Sequence, residues 1–193
     1  MKCSNIIAVV EARMTSSRLP GKHLLQANGK PMLQHLVDRL KRVSLLNDIV
    51  IATTTNSADD ELVNFAKSNN IAFYRGSELD VMGRVVEAGK YFGADVICEV
   101  TGDCPIIDPS LVEHAVQTFV ANDAVYVNYG VCAGLPDGMG CQVFLWNALN
   151  ESAKMTRDSL DREHVTLHIK NHPESFRSIY MVAPSSLYRP NLS

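Results

Sequence analysis

The chain has 193 residues, of which 46% are apolar and 20% charged, with a net charge of −3. That is enough apolar material for a folded α/β domain and excludes a disordered segment, while the mildly acidic balance argues against nucleic-acid binding by bulk charge. No apolar run reaches membrane-spanning length, and the short N-terminal run is followed by Glu11 and Arg13 rather than by a signal-peptide pattern, so no membrane and a cytoplasmic location are expected. Along the chain, residues 6–10 read as a buried first strand. Residues 31–43 read as a helix with Met32, Leu33, Leu36, Val37, Leu40 and Val43 on one stripe and Pro31 in its first turn. A strand is predicted over 49–52, then a helix over 58–68 capped by Ser57. A strand over 71–74, a helix over 80–92, a strand over 96–100 and a helix over 109–121 follow. Past residue 124 the pattern loosens, with strands at 124–128 and 142–145, helices at 148–155 and 162–170, and a final strand at 178–182. Alternating strands and helices, with continuous apolar strands, imply a mostly parallel sheet covered on both faces: a three-layer α/β/α domain.

Charge is unevenly spread. Residues 1–42 carry eight Lys or Arg against two acids, Glu11 and Asp38. Arg39, Lys41 and Arg42 read as the wet face of a helix. Arg13, Ser16, Ser17, Arg18 and Lys22 do not: they crowd one loop, closed by Pro20-Gly21, at the end of the first strand. Hydroxyls and backbone N–H groups can donate to phosphate oxygens while Arg and Lys neutralise their charge. The carboxyl end of a strand in an open α/β sheet is also where ligands sit. This loop points to a nucleoside triphosphate, although it is neither Gly-x-Gly-x-x-Gly nor a P-loop.

Thr101-Gly102-Asp103-Cys104-Pro105 ends another strand. Taken alone Asp103 reads as a turn residue; beside a triphosphate loop it becomes a candidate Mg²⁺ ligand, since magnesium takes one or two carboxylates plus phosphate oxygens and water. Asp108 before Pro109 reads as a helix cap. Arg75-Gly76-Ser77-Glu78-Leu79-Asp80 reads equally well as part of the same crevice, with Arg75 and Ser77 toward the nucleotide, or as an ordinary helix start. Asp161-Arg162-Glu163-His164 reads as a charged helix start, and His35 and His168 as helix positions. The five cysteines, Cys3, Cys98, Cys104, Cys132 and Cys141, form no Cys-x-x-Cys pair and suit a reducing compartment.

With these motifs the chain resembles the cytidylyltransferases that activate acidic sugars, such as 3-deoxy-manno-octulosonate cytidylyltransferase and CMP-sialic acid synthetase, and within them the spore-coat polysaccharide branch. The resemblance is carried by Ala-Arg-Met-Thr-Ser-Ser-Arg-Leu-Pro-Gly-Lys from Ala12, Gly-Lys-Pro-Met-Leu from Gly29, Arg-Gly-Ser from Arg75, Thr-Gly-Asp-Cys-Pro from Thr101, Pro-Asp-Gly from Pro136 and Arg-Glu-His-Val-Thr from Arg162. It implies a Rossmann-like, GT-A-like nucleotidyltransferase fold, a homodimer, and a Mg²⁺-dependent attack of a sugar oxygen on the α-phosphate of CTP, with pyrophosphate leaving. It further implies that Arg13, Ser16, Arg18 and Lys22 hold the triphosphate, that the Ala12 backbone lies against the base, and that Asp103 holds the metal. Arg13, Lys22 and Asp103 would thus be the catalytic set. Two departures stand out. Where the branch reads Pro-Asp-Gly-Leu-Asp-Val-Glu-Val-Phe, this chain has Gly140 and Gln142 in place of two acids. The family also continues past the position of Ser193 with a segment whose aspartate helps hold the metal, so a single domain over residues 1–193 without that segment is expected.

Overall fold

Apolar runs that alternate between two faces force a sheet to be covered on both sides, and the computed structural model shows this arrangement; it describes residues 5–130, 133–189 and 192. Cys3 and Cys132 lie outside the described residues. The elements in chain order are β1 (Ile6–Glu11), β2 (Gln26–Ala27), β3 (Lys30–Pro31), α1 (Met32–Leu40), β4 (Asp48–Thr54), α2 (Asp60–Ser68), β5 (Ala72–Gly76) and α3 (Val81–Tyr91). Then come β6 (Val96–Thr101), α4 (Pro109–Ala121), β7 (Tyr126–Tyr129), β8 (Cys141–Leu145), α5 (Trp146–Met155), α6 (Ser159–Glu163), α7 (Leu167–Asn171) and β9 (Ser178–Tyr180).

Seven strands form one sheet in the order β5-β4-β1-β6-β8-β7-β9. β1, β4, β5 and β6 are mutually parallel; β8 runs antiparallel to both β6 and β7, and β7 is parallel to β9. On one face Ala8 and Val10 of β1 pack with Leu33, Leu36 and Leu40 of α1, Leu62 of α2 and Val112 and Val116 of α4. On the other, Ile7 and Val9 pack with Met82 and Val85 of α3, Leu149 of α5 and Ile169 of α7. The two-residue side-chain period of a strand sorts β1 between the two layers.

Local chemistry sets most boundaries. Asp108 caps α4, its Oδ1 accepting from Ser110 N at 2.8 Å, with Pro109 in the first turn. Asp80 caps α3 through Gly83 N at 2.8 Å. The expected Ser57 cap is corrected: Asn56 is the cap, its side chain accepting from Ala58 N at 3.0 Å, and Ser57–Asp59 forms a 3₁₀ turn before α2. Pro31 lies just before α1, as the last residue of the β2–β3 hairpin. That hairpin turns on Asn28 and Gly29, both at positive φ, the strongest short-range hairpin dipeptide and one the apolar pattern passes over.

The helix expected over 162–170 is two helices. α6 is capped by Asp158, whose Oδ1 accepts from Leu160 N at 2.8 Å, and stops at Glu163. His164 takes a non-helical conformation, and Val165 and Thr166 turn inward, 3% and 1% exposed, before α7 begins. β-branched residues resist the helix weakly, and here burial of Val165 and a hydrogen bond from Thr166 Oγ1 to Gln142 Oε1 at 2.5 Å decide against it.

Candidate functional site

β1 is flanked by β4 on one side and β6 on the other, so the chain leaves it in opposite directions. The crevice at the carboxyl ends of such strands is the usual ligand position in open α/β sheets. Both loops singled out in the sequence open into it.

The loop after β1 is pinned at its root. Ala12 N donates to Ala52 O at 3.3 Å and Met14 N to Asp59 Oδ1 at 2.6 Å. Asp59 is fully buried; its Oδ2 accepts from Thr54 N at 3.0 Å and from the Thr54 hydroxyl at 2.5 Å. One carboxylate thus satisfies the orphan amides at the ends of two strands. Gly21 N closes the loop onto Met14 O at 3.0 Å, at φ +71°, a conformation that suits glycine. A 3₁₀ turn, Lys22–Leu24, then returns the chain to the crevice.

There Lys22 Nζ meets Asp103 Oδ2 at 2.6 Å, across the gap between β1 and β6. Asp103 sits on a turn that Gly102 makes possible: Gly102 N donates to Glu11 O at 2.8 Å, and a Cβ on Gly102 would lie 2.7 Å from that oxygen. His23 is buried beneath it, with Nδ1 3.3 Å from Gly102 O and 3.9 Å from Asp103 Oδ1; burial pulls the imidazole below its ordinary value. The Asp103 side chain is 46% exposed, with Oδ2 on Lys22 and Oδ1 on the side of His23.

Of the sequence-predicted residues, Ala12 (buried), Arg13, Ser16, Arg18 (exposed), Lys22 and Asp103 share this edge. Ser16 Oγ accepts from Leu19 N at 3.5 Å, shaping the loop. Arg75 stands at the same edge, but its guanidinium donates to Thr54 O and Asn56 O, both at 2.8 Å, and to Asp60 at 2.6 Å. Ser77 Oγ accepts from Asp80 N at 3.0 Å, and Ser77 O accepts from Arg84 at 2.5 Å. These two brace the loops around the crevice.

Sequence reasoning gave no role to several residues that the fold brings in. Asp59 reads as one of a run of helix-start acids, Glu78 as one of a charged turn, and His23 merely follows Lys22. Glu11 and Glu99 are another case. They lie on adjacent strands of one face, and burial raises both carboxyls, Glu11 well above the ordinary value with Glu99 adding to it. Gln142 Nε2 donates to Glu99 Oε2 at 2.5 Å, while its Oε1 accepts from the hydroxyls of Tyr126 and Thr166. A carboxylate at 142 would add a third acid to this buried group. Gly140 has an equally local reason: a Cβ there would lie 2.6 Å from Tyr129 O. Cys98, Cys104 and Cys141 are buried and free, and burial or a neighbouring thiol raises the first two, so neither supplies a reactive thiolate.

Among the described residues no group of three or more His, Cys, Asp or Glu could hold a metal by itself. A single half-exposed carboxylate suits magnesium only where phosphate oxygens supply the remaining ligands. No helix among the described residues is long and apolar enough to cross a membrane.

The geometry defines an α/β protein with a cation-and-carboxylate pair at its switch point, the pattern of a nucleotidyltransferase. The Cytidylyltransferase family profile matches residues 7–190, and the chain belongs to that family. It is 30% identical over 192 residues to the spore coat polysaccharide biosynthesis protein SpsF of Bacillus subtilis, covering 97% of this chain and 79% of that one. Over 123 residues it is 34% identical to 3-deoxy-manno-octulosonate cytidylyltransferase of Geobacter sulfurreducens, covering 63% of this chain and 48% of that one. The structure of a cytidylyltransferase from Leptospira borgpetersenii superposes with a TM-score of 0.87 at 28% identity, over 96% of this chain and 79% of the other.

Proposed function

We propose that the protein transfers CMP from CTP to a sugar hydroxyl, releasing pyrophosphate, in the assembly of a surface polysaccharide or glycan. The observation that carries this is the Lys22–Asp103 pair, a cation and a carboxylate held 2.6 Å apart across the switch point by two separately anchored loops. Arg13, Ser16, Arg18 and Lys22 bind the triphosphate, with the Ala12 backbone against the base. Arg75 and Ser77 shape the wall behind it. Asp103 holds Mg²⁺, which when bound neutralises phosphate charge. Phosphate oxygens that took Lys22 would leave the Asp103 carboxylate available to hold a magnesium ion. The sugar oxygen forms its bond to the α-phosphorus as the bond to the β-phosphate oxygen breaks, and the hydroxyl proton passes to solvent. The protein's contribution is positioning and stabilisation of charge developing on the leaving pyrophosphate.

The sugar is acidic, as in the octulosonate enzymes, the site works as a homodimer, and the protein is cytoplasmic and engages neither nucleic acid nor membrane. Pyrophosphate release with CTP and Mg²⁺, run against a panel of acidic and neutral sugars and repeated with ATP, GTP and UTP, tests the reading. Release with none of these sugars, alongside intact CTP binding, would instead mark a nucleotide-binding homologue without turnover, a reading that Gly140 and Gln142 favour because two family acids are missing there.

A further inference from the structure

The carboxylate of Glu78 is where three loops converge, those leaving the carboxyl ends of β1, β4 and β5. Its Oε1 accepts the Thr15 hydroxyl at 2.6 Å and lies 3.8 Å from Arg13 Nη1; its Oε2 accepts the Asn56 amide at 3.2 Å. The Thr15 bond above all, then Asn56, holds the carboxyl below its ordinary value, so it is an anion at neutral pH. The loop that presents Glu78 is fixed independently, by Ser77 Oγ on Asp80 N and by Arg84 on Ser77 O. In the loop it holds, Ser17 through Pro20 are all exposed. The contacts differ in kind. The Thr15 bond is short and charge-assisted. The Arg13 contact is long and partly solvated, 43% and 32% exposed at its two ends, and pairs of that sort bind weakly.

We propose that Glu78 is a positioning residue for the nucleotide with two separable effects. The Thr15–Glu78 bridge holds the cationic loop in its binding shape, and the Glu78 charge balances Arg13 until a phosphate tail takes the guanidinium from it. This rests on the loop of residues 13–22 binding a triphosphate. Bridge and charge part company on substitution. Glu78→Gln keeps a neutral acceptor for Thr15, presents an amide N–H to Asn56 in place of Oε2, and loses the charge that competes with phosphate. Glu78→Ala loses both, and Thr15→Val loses the bridge while leaving the charge.

The test is calorimetric titration of the full chain with CTP and Mg²⁺. Glu78→Gln is expected to bind CTP tighter by about threefold, the scale of a partly exposed ion pair. Thr15→Val is expected to bind about tenfold more weakly, the scale of a charge-assisted hydrogen bond, and Glu78→Ala, which combines that loss with the gain from removing the charge, about threefold more weakly. Where turnover is measurable the changes fall on KM for CTP, with kcat at saturation unchanged. Thermal melts of each variant report folding, and Glu78→Gln preserves the side-chain shape if the alanine variant is compromised. Glu78→Gln binding no tighter than the wild type, or Glu78→Ala binding as tightly, overturns the proposal. Arg13→Ala and Lys22→Ala distinguish the levels. If they weaken CTP binding while the Glu78 variants do not, only the role of Glu78 falls. If they leave it unchanged, or the wild type binds no CTP, the triphosphate reading falls and takes this proposal with it.

Discussion

Lys22 and Asp103 are 81 residues apart and meet at 2.6 Å. On the proposed triphosphate reading Lys22→Ala removes a charge-assisted contact to phosphate, and CTP affinity measured by calorimetry is expected to fall by about tenfold or more. Asp103→Asn keeps the shape but removes the charge, and is expected to abolish Mg²⁺-dependent pyrophosphate release while CTP still binds. Glu11 gives a prediction of another kind. Burial and Glu99 raise its carboxyl well above 4.5, so the folded chain keeps a proton that the unfolded chain releases. The unfolded state then binds fewer protons, and stability declines as pH rises above the unfolded value. Glu11→Gln mimics the protonated form. Its melting temperature is expected to exceed that of the wild type at pH 8 and to match it near pH 4; a uniform loss at both would deny that Glu11 is held protonated.

At the scale of elements, helices with an apolar stripe and a capping residue followed their local sequence: α3 from Asp80 and α4 from Asp108-Pro109 begin where the caps place them. α1 is held by its buried stripe rather than by a side-chain cap, with Leu33, Leu36, Val37 and Leu40 at zero exposure. Leu36→Ala is therefore expected to cost roughly 2–5 kcal/mol in denaturant unfolding, the range for emptying a filled core site. The elements that departed from expectation are those settled by distant partners. α6 and α7 separate because Thr166 is drawn to Gln142 on β8, and the start of α2 shifts because Asp59 is claimed by Met14 and Thr54. Thr54 is local to Asp59, but Met14–Asp59 and Thr166–Gln142 are 45 and 24 residues apart, outside any local window.

At the scale of the molecule, the strand order places the loop after β1 and the turn after β6 at one crevice. Ligand binding there stabilises the whole domain by mass action. At a hundredfold excess of CTP over its Kd the gain is about 2.7 kcal/mol, which for a chain of this size raises Tm by roughly 5–10 °C. No shift with saturating CTP and Mg²⁺ would count against the crevice as the nucleotide site. The same order is why the site was only half legible beforehand. Arg13, Lys22 and Asp103 could be picked out because each sits in a polar loop just past an apolar run, where a core role is excluded. Asp59, Glu78, His23 and the Glu11–Glu99–Gln142 group could not, since their roles depend on which strands are neighbours.

The sequence alone determined the alternation of strands and helices, the apolar faces, the cap at Asp108, and a cationic loop fit for phosphate, because each depends on residues a few positions apart. The tertiary structure alone decided that β8 runs against its neighbours, that Lys22 reaches Asp103, and that Glu11 and Glu99 come together on adjacent strands with Gln142 on Glu99. Those outcomes depend on desolvation and on contacts between strands scores of residues apart, energies that no single segment of chain carries.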